Sequence, residues 1–155
     1  MEVYYAIMLF ILGAVLGSFY NVVGYRLPKG QSIVAPPSHC PNCNHRLKFY
    51  ELIPIFSFLF LGRKCLKCKQ KISWFYMIFE LITGILFMIS YLVFGLSMEL
   101  VLSLTLISVL LIIIISDYQT LIIPDEVLIF GLITMSIEII IMHGIKGLLF
   151  SYLSV

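Results

Sequence analysis

The chain has 155 residues, of which 61% are hydrophobic and 12% charged, with a formal net charge of +2. A water-soluble domain of this size draws on roughly 25% charged residues to cover its surface. That shortfall, with a mean hydropathy of +1.09, excludes an ordinary soluble domain and points to an integral membrane protein.

Tyr4 to Val23 is the first uncharged run long enough to span a bilayer, which takes ~20 mostly apolar residues. Only Glu2 precedes it, so it lacks a basic leader region, and no small-residue cleavage site follows. It reads as a retained helix and not a signal peptide. Within it, Gly13-Ala-Val-Leu-Gly17 is a small-xxx-small pattern that admits close helix approach, within the chain or between two copies. Arg26-Leu27-Pro28-Lys29-Gly30 then stops the helix, and its two cations suit the headgroup region.

The long loop that follows, residues 26–72, is strongly basic. Nine of the ten Lys and Arg residues lie in it against a single acid, Glu51, for a net of +8. Short basic loops stay in the cytoplasm. The expected topology therefore has the N-terminus outside, this loop cytosolic, and Asp117 to Glu126 returning to the same face. Anionic lipid headgroups are the expected partners of these charges; no nucleic-acid motif is present. Glu51 to Leu61 is too short to span and too apolar for open water, and reads as an interfacial or re-entrant segment. There is no tandem repeat and no low-complexity tract.

All four cysteines fall in this loop: Cys40-Pro-Asn-Cys43, then 21 residues, then Cys65-Leu-Lys-Cys68. Two CxxC pairs at near zinc-ribbon spacing point to a structural zinc with four thiolate ligands. The neighbouring Arg63, Lys64, Lys67 and Lys69 favour the thiolate forms that metal binding requires. Redox dithiols and disulfides are the alternatives. His39 and His45 are spare ligand candidates, expected outside the ligand set.

Three further spans follow. Trp74 to Gly95 contains Glu80, Leu100 to Ser116 is almost wholly apolar, and Val127 to Met142 contains Glu138. A fifth apolar stretch begins at Gly147 and reaches Val155. Glu80 and Glu138 are expected to face the bundle and meet polar partners. The expected fold is an all-α polytopic membrane protein: a first helix over 1–25, the four-cysteine, zinc-ribbon-like loop over 26–72, and a bundle over 73–155, with about four spans in all and a truncated fifth. Only two aspartates exist. Asp117 follows the third span, where an ionised carboxylate near hydrocarbon is a functional candidate by default. Asp125 follows Pro124 and opens the fourth helix, where it suits the helix dipole.

The motifs Gly17-Ser-Phe-Tyr-Asn21, Arg26-Leu-Pro28, Cys40-Pro-x-Cys43, Glu51-Leu-Ile-Pro54-x-x-Ser57, Arg63-x-Cys65-x-x-Cys68, Glu80 and Asp117-x6-Pro124-Asp125 occur in that order. In combination they resemble the bacterial prepilin leader peptidase/N-methyltransferases, membrane enzymes of the GxGD aspartyl type. The resemblance implies cleavage of type IV prepilin or pseudopilin leaders at the cytosolic side of the inner membrane. It also implies N-methylation of the new terminus with S-adenosylmethionine. Asp117 matches the family's first catalytic aspartate, with Asn21, Arg26, Glu51, Glu80 and Asp125 as secondary site residues. The family's second aspartate lies in a GxGD motif, and no Gly-Asp pair occurs here. Asp125 does not readily replace it, since eight residues along a helix is ~12 Å. A homodimer supplying Asp117 twice is an alternative source. The expectation is a partial enzyme without peptidase activity as it stands; the competing reading is a non-enzymatic membrane scaffold whose zinc loop docks a partner.

Overall fold

The computed structural model describes residues 2–40, 42–48, 51–55 and 64–153, with side chains described up to residue 142. Among these residues the chain is all-helical apart from its loop. Helix α1 covers Glu2–Arg26 and runs on into a 3-10 turn, Leu27–Lys29; α2 is Trp74–Phe94, α3 Met98–Thr120 and α4 Asp125–Leu153. Three of these, α1 with its 3-10 extension, α2 and α3, are long and apolar enough to cross a membrane. The 21 residues of α2 extend about 32 Å at 1.5 Å per residue, close to the hydrocarbon thickness of a bilayer. The chain is a membrane protein.

Helix ends follow local chemistry. Ser73 and Ser97 cap α2 and α3, their hydroxyls accepting from the Phe75 and Leu100 backbone N–H groups at 3.2 Å each, which satisfies donors the helix leaves open. The 3-10 turn ends on Gly30 at φ +64° and α2 on Gly95 at φ +62°, backbone that glycine adopts without steric cost.

Two ends differ from the sequence expectation. Helix α3 continues one turn past Ser116, so Asp117 sits in its last turn and not beyond it. Helix α4 runs unbroken to Leu153, so the stretch from Gly147 continues the fourth helix and does not begin a separate fifth element. No proline separates Met142 from Gly147, and a glycine costs a helix only about 1 kcal/mol. Most of the expected interfacial segment after Ile55, together with Ser57 and Arg63, lies outside the described residues.

Helix α1 packs on α2 through the small residues read from the sequence. Gly13 and Gly17 are buried, and a Cβ on Gly17 would lie 2.7 Å from Thr83 Oγ1 and 3.0 Å from the Glu80 Cα. The small-xxx-small face is thus used inside the chain. One apolar cluster, Ala6, Tyr91 and Leu100, closes the hairpin end of the bundle, and another, Tyr20, Leu111 and Ile115, closes the loop end. Buried hydroxyls find backbone carbonyls: within α2, Thr83 donates to the Phe79 carbonyl at 2.6 Å and Ser90 to the Leu86 carbonyl at 2.9 Å, and Ser116 of α3 donates to the Ile122 carbonyl beyond the helix end at 2.5 Å. In lipid no water is present to take those bonds.

Candidate metal centre and the acidic residues around it

Each cysteine pair is folded by the same local pattern. In the first, the Cys40 N–H donates to the His45 carbonyl and the Asn44 N–H to the Cys40 carbonyl, both at 2.9 Å. In the second, the Cys65 N–H donates to the Gln70 carbonyl at 2.9 Å and the Lys69 N–H to the Cys65 carbonyl at 3.0 Å. Asn44 and Lys69, each directly after the second cysteine of its pair, turn the chain at φ +52° and +59°. Antiparallel bridges His39 to Arg46 and Lys64 to Lys71 close the two turns. The site is therefore a duplicated knuckle, each residue of the second copy 25 positions after its counterpart in the first. The cysteine spacing alone does not reveal that the flanking turns repeat as well.

The two knuckles face each other through their sulfurs. Cys40 Sγ lies 3.7 Å from Cys68 Sγ and Cys43 Sγ 3.9 Å from Cys65 Sγ, and all four sulfurs lie within 4.8 Å of one another. A tetrahedral ion with Zn–S bonds of ~2.3 Å needs sulfurs about 3.8 Å apart. The four thiols fit such an ion. They are free cysteines, separated by well over the ~2.05 Å of a disulfide.

The thiols differ in acidity. The Gln70 backbone N–H is the main influence drawing the Cys68 thiol down to about 6, aided by Asn42, Cys43 and Cys40 against the effect of burial. The His45 N–H acts the same way on Cys43, but burial and the sulfurs of Cys68, Cys40 and Cys65 outweigh it and push that thiol up to about 11. At Cys68 the Gln70 amide, Asn42 and the neighbouring sulfurs favour the thiolate, whereas at Cys43 the neighbouring sulfurs oppose it. His39 and His45 stand outside the ligand set: His39 Nδ1 is 3.1 Å from the Pro37 carbonyl, and His45 Nε2 is 3.4 Å from Glu51 Oε2.

The remaining candidates fall into structural and open positions. Arg26 Nη1 donates to the carbonyls of Ser32 and Pro36 at 3.1 and 2.8 Å, fixing the extended lead-in to Cys40. Asn21 is 2% exposed; its amide donates to the Gly17 carbonyl at 3.0 Å, and its Oδ1 has no hydrogen-bond partner among the described residues. Glu51 accepts from the Lys48 N–H at 2.8 Å, and Glu80 from the Ile55 N–H at 2.8 Å. Glu138 accepts from the Thr105 hydroxyl at 2.7 Å. Glu80 and one oxygen of Glu138 thus meet polar partners, as the cost of isolating a carboxylate in hydrocarbon requires, while Glu138 Oε2 is buried with no hydrogen-bond partner among the described residues.

Asp117 is exposed. It shares the loop end of the bundle: its neighbour Tyr118 stacks on Phe75 of α2, ring centroids 4.8 Å apart, and a Cβ on Gly24 of α1 would meet Ile115 of α3 at 2.7 Å. Asp125 is also exposed, in the first turn of α4. The two aspartates lie on different helices, joined by a turn in which Leu121 takes φ +55° and its N–H caps the Asp117 carbonyl at 2.9 Å. The ~12 Å spacing of one continuous helix does not describe them.

The model of the bacterial peptidase A24 N-terminal domain matches residues 11–94, more than half of the chain. A Bacillus subtilis protein named prepilin leader peptidase/N-methyltransferase is 46% identical over 125 residues, covering 81% of this chain and 50% of the relative. Proteins of the same name from Myxococcus xanthus and Klebsiella pneumoniae are 48% and 38% identical, covering 68% and 76% of this chain. The chain spans 32% and 54% of those two relatives, so it corresponds to about half the length of such proteins or less. No solved structure matches it.

Proposed function

Since the chain belongs to the bacterial peptidase A24 family, matching its N-terminal domain, we propose that it is the N-terminal part of a prepilin leader peptidase and N-methyltransferase. The observation that carries this is one arrangement: the four-thiol loop and the exposed Asp117 stand at the same end of the membrane bundle.

In this proposal zinc is the metal of the four-thiolate site, held by Cys40, Cys43, Cys65 and Cys68. A closed set of four thiolates leaves no open coordination position, so the ion fixes the loop and does no chemistry. The loop end of the bundle is the cytosolic face of the inner membrane, and the basic loop lies against anionic headgroups. The substrate is a prepilin or pseudopilin whose leader meets that face. S-adenosylmethionine is proposed as methyl donor from the methyltransferase name of the relatives and the sequence resemblance alone, and we assign it no residues.

Asp117 is one of the two carboxylates of the peptidase. Aspartyl hydrolysis uses a pair sharing a proton, one activating water while the other protonates the scissile carbonyl. The 155 residues contain no Gly-Asp pair, and Asp125 stands in the first turn of α4, where it suits the helix dipole. By themselves they are expected to leave a leader uncleaved.

The test is cell-free processing of a synthetic prepilin by membranes carrying a chain of the relatives' full length, with and without Asp117→Asn. The proposal predicts that the variant loses leader release and still methylates a pre-cleaved substrate. Retained cleavage contradicts the role of Asp117. The 155 residues tested alone separate the remaining readings: methylation without cleavage marks a partial enzyme, and neither activity favours a scaffold that docks a partner through its metal loop.

A further inference from the structure

The metal loop is tied to the membrane helices at its middle as well as at its ends. Glu51 and Glu80 are the loop's one acid and the acid of α2, and both are 8% exposed. The Glu51 carboxylate accepts from the Lys48 N–H at 2.8 Å and stands 3.4 Å from His45 Nε2. His45 also supplies the carbonyl that closes the first knuckle on the Cys40 N–H. Four residues beyond Glu51, Ile55 presents its N–H to Glu80 Oε2 at 2.8 Å.

Two features show that this contact is built and not incidental. Ile55 holds φ +62°, a left-handed conformation that a β-branched residue adopts only where its surroundings impose it. Gly17 also has no side chain where one would collide: a Cβ there would lie 3.0 Å from the Glu80 Cα. The small residue lets α1 close over the Glu80 backbone, while the carboxylate reaches out to the loop.

We propose that Glu51 and Glu80 are positioning residues that fasten the metal-bearing loop onto the loop end of the bundle. Glu51 ties the first knuckle to the segment 51–55, and Glu80 ties that segment to α2. The metal sets the loop's internal shape, and the two carboxylates set where that shape sits over the membrane. This goes beyond the peptidase reading and does not depend on it, because it concerns the docking of the loop and not the reaction.

The test is amide hydrogen exchange, followed by mass spectrometry, on the metal-loaded chain in detergent, with zinc content measured on the same samples. In the unaltered protein the Ile55 amide is expected among the slowly exchanging amides of residues 51–55; free exchange there overturns the fastening without any variant. Glu80→Leu removes the acceptor and is expected to speed that exchange by about tenfold or more, the response of a locally opened contact, with zinc retained. Glu80→Gln keeps a carbonyl acceptor and is expected to restore most of the protection. Glu138→Leu, which alters the other intramembrane glutamate and its Thr105 contact, is expected to leave the segment as it was. Unchanged exchange in Glu80→Leu, or equal loosening by Glu138→Leu, contradicts the proposal.

Discussion

Gly13 of α1 and Gly84 of α2 meet across the helix interface so closely that a Cβ on Gly13 would lie 2.9 Å from the Gly84 Cα and 2.7 Å from the Thr83 carbonyl oxygen. A Cβ on Gly84 would in turn lie 2.9 Å from the Phe10 carbonyl oxygen. The nearest obstructions include backbone atoms on both sides, beside the Phe10 ring at Gly84, so rotating a side chain alone does not relieve them. Gly13→Ala and Gly84→Ala are each expected to lower stability by about 1–3 kcal/mol through overpacking, read as a drop in the thermal unfolding midpoint in detergent. An unchanged midpoint in both variants would mean that α1 and α2 do not pack at this distance.

The metal site gives a second expectation. Because the two knuckles contribute equally, with one sulfur contact of 3.7 Å and one of 3.9 Å between them, Cys43→Ser and Cys68→Ser should each reduce bound zinc from about one per chain to near zero. Elemental analysis of the purified protein checks this. Full zinc content in either variant would contradict a site that needs all four thiolates, and so would free alkylation of all four in the unaltered protein.

Chelation should expose the unequal acidity of the thiols. Cys68, drawn down to about 6, is largely thiolate at a pH near neutrality, while Cys43, pushed up to about 11, remains thiol. Since the thiolate is the nucleophile, alkylation of the stripped protein near neutral pH should label Cys68 ahead of Cys43. The same shifts set the sign of the pH dependence. The lowered group stabilises the metal-free loop above the ordinary value of 9.0, and that contribution is lost as pH falls through about 6. The raised group stabilises the loop below 9.0, and its contribution is lost as pH rises through about 11. Labelling in the reverse order would show that the Gln70 amide does not make Cys68 the more acidic thiol, or that burial and the neighbouring sulfurs do not outweigh the His45 amide at Cys43.

What could be read from the sequence followed the range of the forces involved. The cysteine cluster was legible because a CxxC spacing sets two sulfurs along one edge of a tetrahedron whatever the rest of the chain does. The helices were legible because a membrane demands long apolar runs, whereas the serine caps at Ser73 and Ser97 were found only in the structure. The ends of α3 and α4 were not. Asp117 to Thr120 continues the helix despite its polarity, since the chain turns only at Leu121, whose left-handed φ no composition announces. Glu80 could be marked as costly in lipid, but its partner, the Ile55 N–H, lies 25 positions away in sequence and depends on a backbone angle at Ile55. Arg26 read as a headgroup anchor, while its guanidinium in fact clamps two carbonyls of the loop.

The proposed function requires the basic loop and Asp117 to share the cytosolic face, and the sidedness of the loop decides this. Trypsin applied to right-side-out spheroplasts and to inverted inner-membrane vesicles, each carrying the chain stripped of its metal, should cut after Lys64, Lys67 and Lys71 only in the inverted vesicles. Cleavage at those lysines in intact spheroplasts would put the loop outside the cell and contradict the account.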